Sequence, residues 1–169
     1  MIRTTILAVA LALAAPAMAQ APTDAQIAHI AYTAGQIDID AGKQALAKSQ
    51  NKDVRAFAEV MVRDHAAVND KALALVKKLN VTPADNPTSR SLTDGAKKAH
   101  DDQAKLAGAA FDRAYLQNEV AYHKQVNAAL KDTLIPNAGN AELKALLETG
   151  LKLFQEHQAH AEHMLAALK

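Results

Sequence analysis

A chain of 169 residues with 19 Lys+Arg, 18 Asp+Glu and no cysteine lacks the clustered positive charge that nucleic acid or an anionic membrane demands, and it excludes thiolate chemistry and disulfides. Half of it is apolar but only 4% is aromatic, a balance that suits closely packed helices better than sheet. Any metal would have to be held by imidazole, carboxylate or thioether.

Residues 1–19 follow the order of a secretory leader: Arg3, an apolar run from Ile6 to Ala15, Pro16, and the small-residue cleavage pattern Ala17-Met18-Ala19. The run is ten residues long, half of the roughly 20 that a helix needs to cross a bilayer, so no membrane-spanning segment is expected after cleavage. The expected product is one periplasmic domain over residues 20–169. Arg3 is the only charged residue of the leader, which leaves that domain with 18 charges of each sign.

Thr23 and Gln26 have the spacing of a capping box, which predicts a helix start. Ile27, Ile30, Ala31, Ala34, Ile37, Ala41 and Ala45 then recur at helical intervals to about Ser49. Asp38 falls within that apolar arc, whereas Asp40 lies about 160° round the helix and should face water. Asn51 can cap a second helix whose seam is Val54, Ala58, Met61, His65, Val68, Ala72, Leu75 and Leu79. Residues 81–108 break the pattern with Pro83, Pro87, Gly95 and Gly108. This long connection has the length of a crossover, with a short polar helix expected over Leu92–Ala107.

The third main helix is expected from about Ala109 to Leu134, stopped by Pro136, with Phe111, Tyr115, Glu119, Tyr122, Val126 and Ala129 facing inward and His123 on the flank. Asn140 can cap the last helix, whose seam is Leu143, Leu147, Gly150, Phe154, His157, Ala161, Met164 and Leu168. Within its stretch FQEHQAHAEHM the histidines differ. His160 lies about 60° from His157 and His163 about 120°, which makes one central, one marginal and one solvated.

Each of the four long helices thus has a polar residue on its apolar face: Asp38, His65, Glu119 and His157. An unpaired buried polar group costs on the order of 1–3 kcal/mol, so clustering is favoured over four separate penalties. With a rise of about 1.5 Å per residue, Asp38 and His65 come within roughly 5 Å in height across the first hairpin, and Glu119 and His157 are level across the second. Two carboxylates and two imidazoles meeting in a bundle can bind a divalent cation, with His123 and His160 in reserve one turn away. Asp64 and Tyr122 are candidates, like His160, to stand behind the ligands. Read separately, these residues also fit a core histidine bonded to a neighbour, a Glu119–His123 surface pair, a solvated Asp64 and a core Tyr122.

The segments IDIDAGKQALAKS, VRAFAEVMVRDHAAVNDKAL, GAAFDRAYLQNEVAYHKQV and LFQEHQAHAEHM resemble the domain of unknown function 4142 family, ferritin-like exported proteins. The resemblance implies an all-α, ferritin-like four-helix bundle with a metal centre between the helices. By position, it implies that Asp38 takes the place of a first-helix glutamate, that His65, His123 and His157 match family histidines, and that Glu119 is a second-choice or bridging ligand. His160 and His163 match no fixed position. Di-iron bundles use Glu-x-x-His pairs, but Val62 and Phe154 stand three residues before His65 and His157. A single, histidine-rich metal is therefore the expectation.

Zinc suits nitrogen and oxygen donors best; iron and manganese are alternatives, as is copper if Met61 or Met164 ligates. A binding role is expected first. The alternatives are an iron-dependent oxidase-like enzyme with Tyr122 near the metal, and a non-catalytic envelope or stress protein without metal. A non-covalent haem is more remote, and the lack of Cys-x-x-Cys-His excludes a covalent one.

Overall fold

Capping residues set the boundaries of the helices in the computed structural model, which describes residues 21–168. The leader expected over residues 1–19 lies outside them. Helix α1, Asp24–Lys48, starts where the Thr23 hydroxyl accepts from Gln26 N at 3.3 Å and the Gln26 side chain accepts from Thr23 N at 2.9 Å. Asn51 caps α2, Lys52–Lys78, by accepting from Asp53 N and Val54 N. Asn140 caps the last helix, α5, Ala141–Ala167, in the same way. Arg55 donates to the carbonyls of Leu46 and Ser49, which satisfies groups that the end of α1 leaves bare.

Two boundaries differ from expectation, both at prolines. The connecting helix α3 runs Pro87–Ala104, starting five residues earlier than the Leu92 expected. Pro87 does not break it: at the first helical position its missing N–H is no loss, and the Asn86 side chain caps the helix by accepting from Ser89 N at 3.0 Å. Helix α4, Gly108–Ala129, does not end before Pro136. It passes through a π turn at Leu130–Leu134 and a final turn at Ile135–Asn137. The widened turn accommodates a residue with no N–H to give to the carbonyl four positions back.

Polar ties at the two ends fix the topology. At the first end the Asp24 carboxylate accepts from Gly139 N at 2.8 Å and Asn140 N at 2.9 Å, and Lys78 pairs with Glu142 at 2.6 Å. At the second end Lys48 donates to the Ala104 carbonyl at 2.7 Å and Arg113 to the Leu168 carbonyl at 2.8 Å. Helix α3 therefore travels the height of the bundle, packed against α1 and α4, and α2 and α4 run in the same direction. The described residues form an all-α bundle of four long helices with a helical crossover between the second and third.

The core is in two apolar blocks. Ile27, Ile30, Ala34, Val126, Leu130, Leu134, Leu143, Leu147 and Phe154 fill the first-end half, and Ala45, Val54, Phe57, Ala58, Met61, Phe111, Tyr115, Leu116 and Ala161 fill the other. Between them, in sequence position on every long helix, fall Asp38, His65, Glu119, His123 and His157. Close approach of α1 to α2 is permitted by Gly42, where a Cβ would stand 2.8 Å from Val62 Cγ2 and 3.1 Å from the Ala58 carbonyl.

Candidate metal centre

All five expected site residues are buried, none more than 4% exposed. The His65, His123 and His157 rings form a triangle with centroids 5.3, 5.6 and 5.6 Å apart. One nitrogen from each lies within 4.8 Å of the others, and Asp38, Glu119 and His123 form a second group to the same limit. His123 thus belongs to both. His65 Nε2 is 3.5 Å from Asp38 Oδ2 and His123 Nδ1 is 3.6 Å from Glu119 Oε2.

His123 departs from its expected flank position, being only 1% exposed. The reason lies in its neighbours: the ring packs against His65 of α2 and against Phe154 and His157 of α5, and the buried arc of α4 is wide, taking in Asp112, Leu116, His123 and Asn127 beside Phe111, Tyr115 and Glu119. A periodicity that assumes one buried stripe places these residues at the edge.

Hydrogen bonds set two of the ring tautomers. His123 Nδ1 lies 3.0 Å from the Glu119 carbonyl, which can only accept, so Nδ1 carries the proton and Nε2 keeps its lone pair. His157 Nε2 lies 3.1 Å from Asp64 Oδ2 and donates to it, which leaves Nδ1 as the free acceptor. Asp64 in turn accepts from Arg63 Nε at 2.7 Å. Asp64 therefore stands behind His157, although Arg63, which completes the chain to solvent, was not foreseen. Only its place next to Asp64 in sequence could have signalled it.

The other two supporting candidates are placed differently. The Tyr122 hydroxyl donates to the Ala34 carbonyl at 3.1 Å instead of reaching water or the polar layer, and its ring meets His123 edge-on. His160 is exposed and packs on Phe57 with centroids 5.1 Å apart, outside the hydrogen bonds of the layer. A residue not anticipated there is Phe154, whose ring stacks on His65 at 4.5 Å and 12°. It closes the layer toward the first apolar block.

Burial dominates the electrostatics. It raises Glu119 to about 8 and Asp38 well above the usual carboxylate range, and each carboxyl is further influenced by the other. Two acids in one dry site cannot readily ionise without a cation, so near neutral pH both carboxyls stay protonated. The same burial lowers His65 well below its ordinary value, His123 to about 4, and His157 to a lesser degree because Asp64 opposes the shift. Asp64 itself is held low: burial acts against this, but the Arg63 and His157 hydrogen bonds outweigh it.

The layer leaves atoms without partners. Both nitrogens of His65, His123 Nε2 and His157 Nδ1 are buried and form no hydrogen bond, and the Glu119 carboxyl has only that of Asp38 as a partner. Neutral imidazoles with free lone pairs, beside carboxyls that a cation would ionise, are donors that could hold a divalent metal ion.

The fold has a solved counterpart. A crystal structure from Streptomyces coelicolor, described as that of a candidate secreted protein, DUF305, matches with a TM-score of 0.71 over 85% of this chain and 92% of that one, at 12% identity. Such low identity supports the shared helical fold alone. No curated protein matches the chain. Among the described residues, no helix is long and apolar enough to cross a membrane. The model of the family described as Domain of unknown function (DUF4142) matches residues 9–164, and the chain belongs to that family.

Proposed function

We propose that this protein is an exported, ferritin-like bundle that holds one divalent metal ion in its polar layer, with zinc the preferred ion. His65, His123 and His157 would supply neutral nitrogens and Glu119 the anionic oxygen, with Asp38 as the alternative or additional carboxylate. The observation that carries the reading is the set of four buried imidazole nitrogens without partners in one layer, beside a buried pair of carboxyls. Each such atom costs about 1–3 kcal/mol when left bare, and one ion would satisfy most of them together.

Charge supports the same conclusion. A doubly positive ion displaces the protons of Asp38 and Glu119, and the two carboxylates then balance it in an otherwise neutral site. The Asp64–His157 and Glu119 carbonyl–His123 contacts hold both rings with a lone pair free, as the outer partners of metal-bound histidines do. Export to the periplasm rests on the leader pattern of residues 1–19.

The test is elemental analysis of protein purified without added metal, covering zinc, iron, manganese and copper. The native chain is expected to retain close to one equivalent and a His65→Ala/His157→Ala variant essentially none. Equal metal content in the two would end the reading and favour an envelope protein without metal.

A further inference from the structure

His160 and His163 take no part in the polar layer, yet they continue the line that His157 begins. At about 1.5 Å per residue they lie roughly 4.5 and 9 Å further along α5, toward the second end of the bundle. Both are exposed and both line a cavity of about 630 Å³. Its wall also carries Asp53, Asp112 and Met164. Phe57 holds His160 at this wall through an edge-on contact at 89°.

Asp112 is the unexplained member of the cavity. It is 5% exposed, and its Oδ1 has no hydrogen-bond partner. A carboxylate so placed lacks both solvent and the donor that buried acids require. The same cavity is lined by two exposed imidazoles, His160 and His163, on one helix at a spacing of three residues, which share a face.

We propose that this cavity is a second cation site, which takes a divalent, nitrogen-preferring ion such as zinc through His160, His163 and Asp112. Among the described residues, these donors are not among the compact three-ligand groups, so binding requires the exposed imidazoles to swing together. The site is therefore weaker than a preformed one and fills after it. Its place on the helix of His157 makes it a landing site for ions bound for the polar layer. That delivery role, unlike the site itself, rests on the reading of the layer as a metal centre.

Zinc alone, titrated into metal-free protein and followed by equilibrium dialysis with histidine-ring NMR, tests both parts. The native chain is expected to take up a second, weaker equivalent that shifts the His160 and His163 ring signals. A His160→Ala/His163→Ala variant should lose it while still folding, with at most a small drop in melting temperature from the lost His160–Phe57 contact. Asp112→Asn should weaken it by tenfold or more. The His65→Ala/His157→Ala variant should keep it, which separates failure at the layer from failure at the cavity. Equal stoichiometry in the native and His160→Ala/His163→Ala chains, or ring signals that do not move, would overturn the site. At limiting zinc the same variant should also load the layer more slowly to the same final level; an equal rate would overturn the delivery role.

Discussion

Among single residues, Asp64 has the most specific task, because it reaches His157 from a position that is only 18% exposed and fixes which nitrogen is free. Asp64→Ala is expected to lower metal affinity by roughly 10–100-fold while the fold persists; competition with a chelator of known affinity measures it, and an unchanged affinity would contradict the role. The carboxyl pair predicts a pH effect of definite sign. Glu119, at about 8 when folded, stands above the roughly 4.3 of an unfolded glutamate, so over that range the native state holds the extra proton and stability falls as pH rises. His123, at about 4, acts the other way: its contribution is lost as pH falls below about 6.5. Between about 6.5 and 8 the carboxyls act without this opposition, and the melting temperature of metal-free protein is expected to decline. Glu119→Gln should reduce that decline, and a native profile that is flat or rising would contradict the assignment. The ion reverses the trend, since binding releases protons and strengthens with pH.

At the scale of elements, the four main helices were legible because each begins with a side-chain cap or carries an unbroken seam of apolar residues. Two features were not. Pro87 and Pro136 read as stops, yet one starts α3 and the other is passed by a π turn; a proline's effect depends on which carbonyl would have received its missing N–H. Periodicity placed His123 on the flank because its burial depends on packing against both α2 and α5, which a single buried stripe does not reveal; only the family resemblance raised it from a reserve ligand to a site residue. Caps and close approaches also set expected stabilities. Asn86→Ala should cost about 1 kcal/mol or more in chemical denaturation by removing the α3 cap, and Asn86→Asp should not restore it, because the buried Asn86 amide also donates to the Gln26 and Ala84 carbonyls. Gly42→Leu should cost about 1–3 kcal/mol, because the Ala58 backbone carbonyl cannot move aside as a side chain would. Losses near zero at either position would contradict the packing described.

For the whole molecule, the organising feature is a polar layer between two apolar blocks, built with one or two residues from each long helix. Sequence placed Asp38 with His65 and Glu119 with His157 by counting from the hairpin turns. It could not bring the two hairpins to the same height, because that depends on α3, whose length and direction determine where α4 begins. The crossover thus brings His123 and Glu119 level with His65 and Asp38. X-ray absorption at the zinc edge, on native protein loaded with one equivalent, tests the central claim most directly. The expected shell contains three imidazole nitrogens and at least one oxygen at about 2.0–2.2 Å. A shell of oxygens alone, or one unaltered by His65→Ala, would contradict a metal centre in this layer.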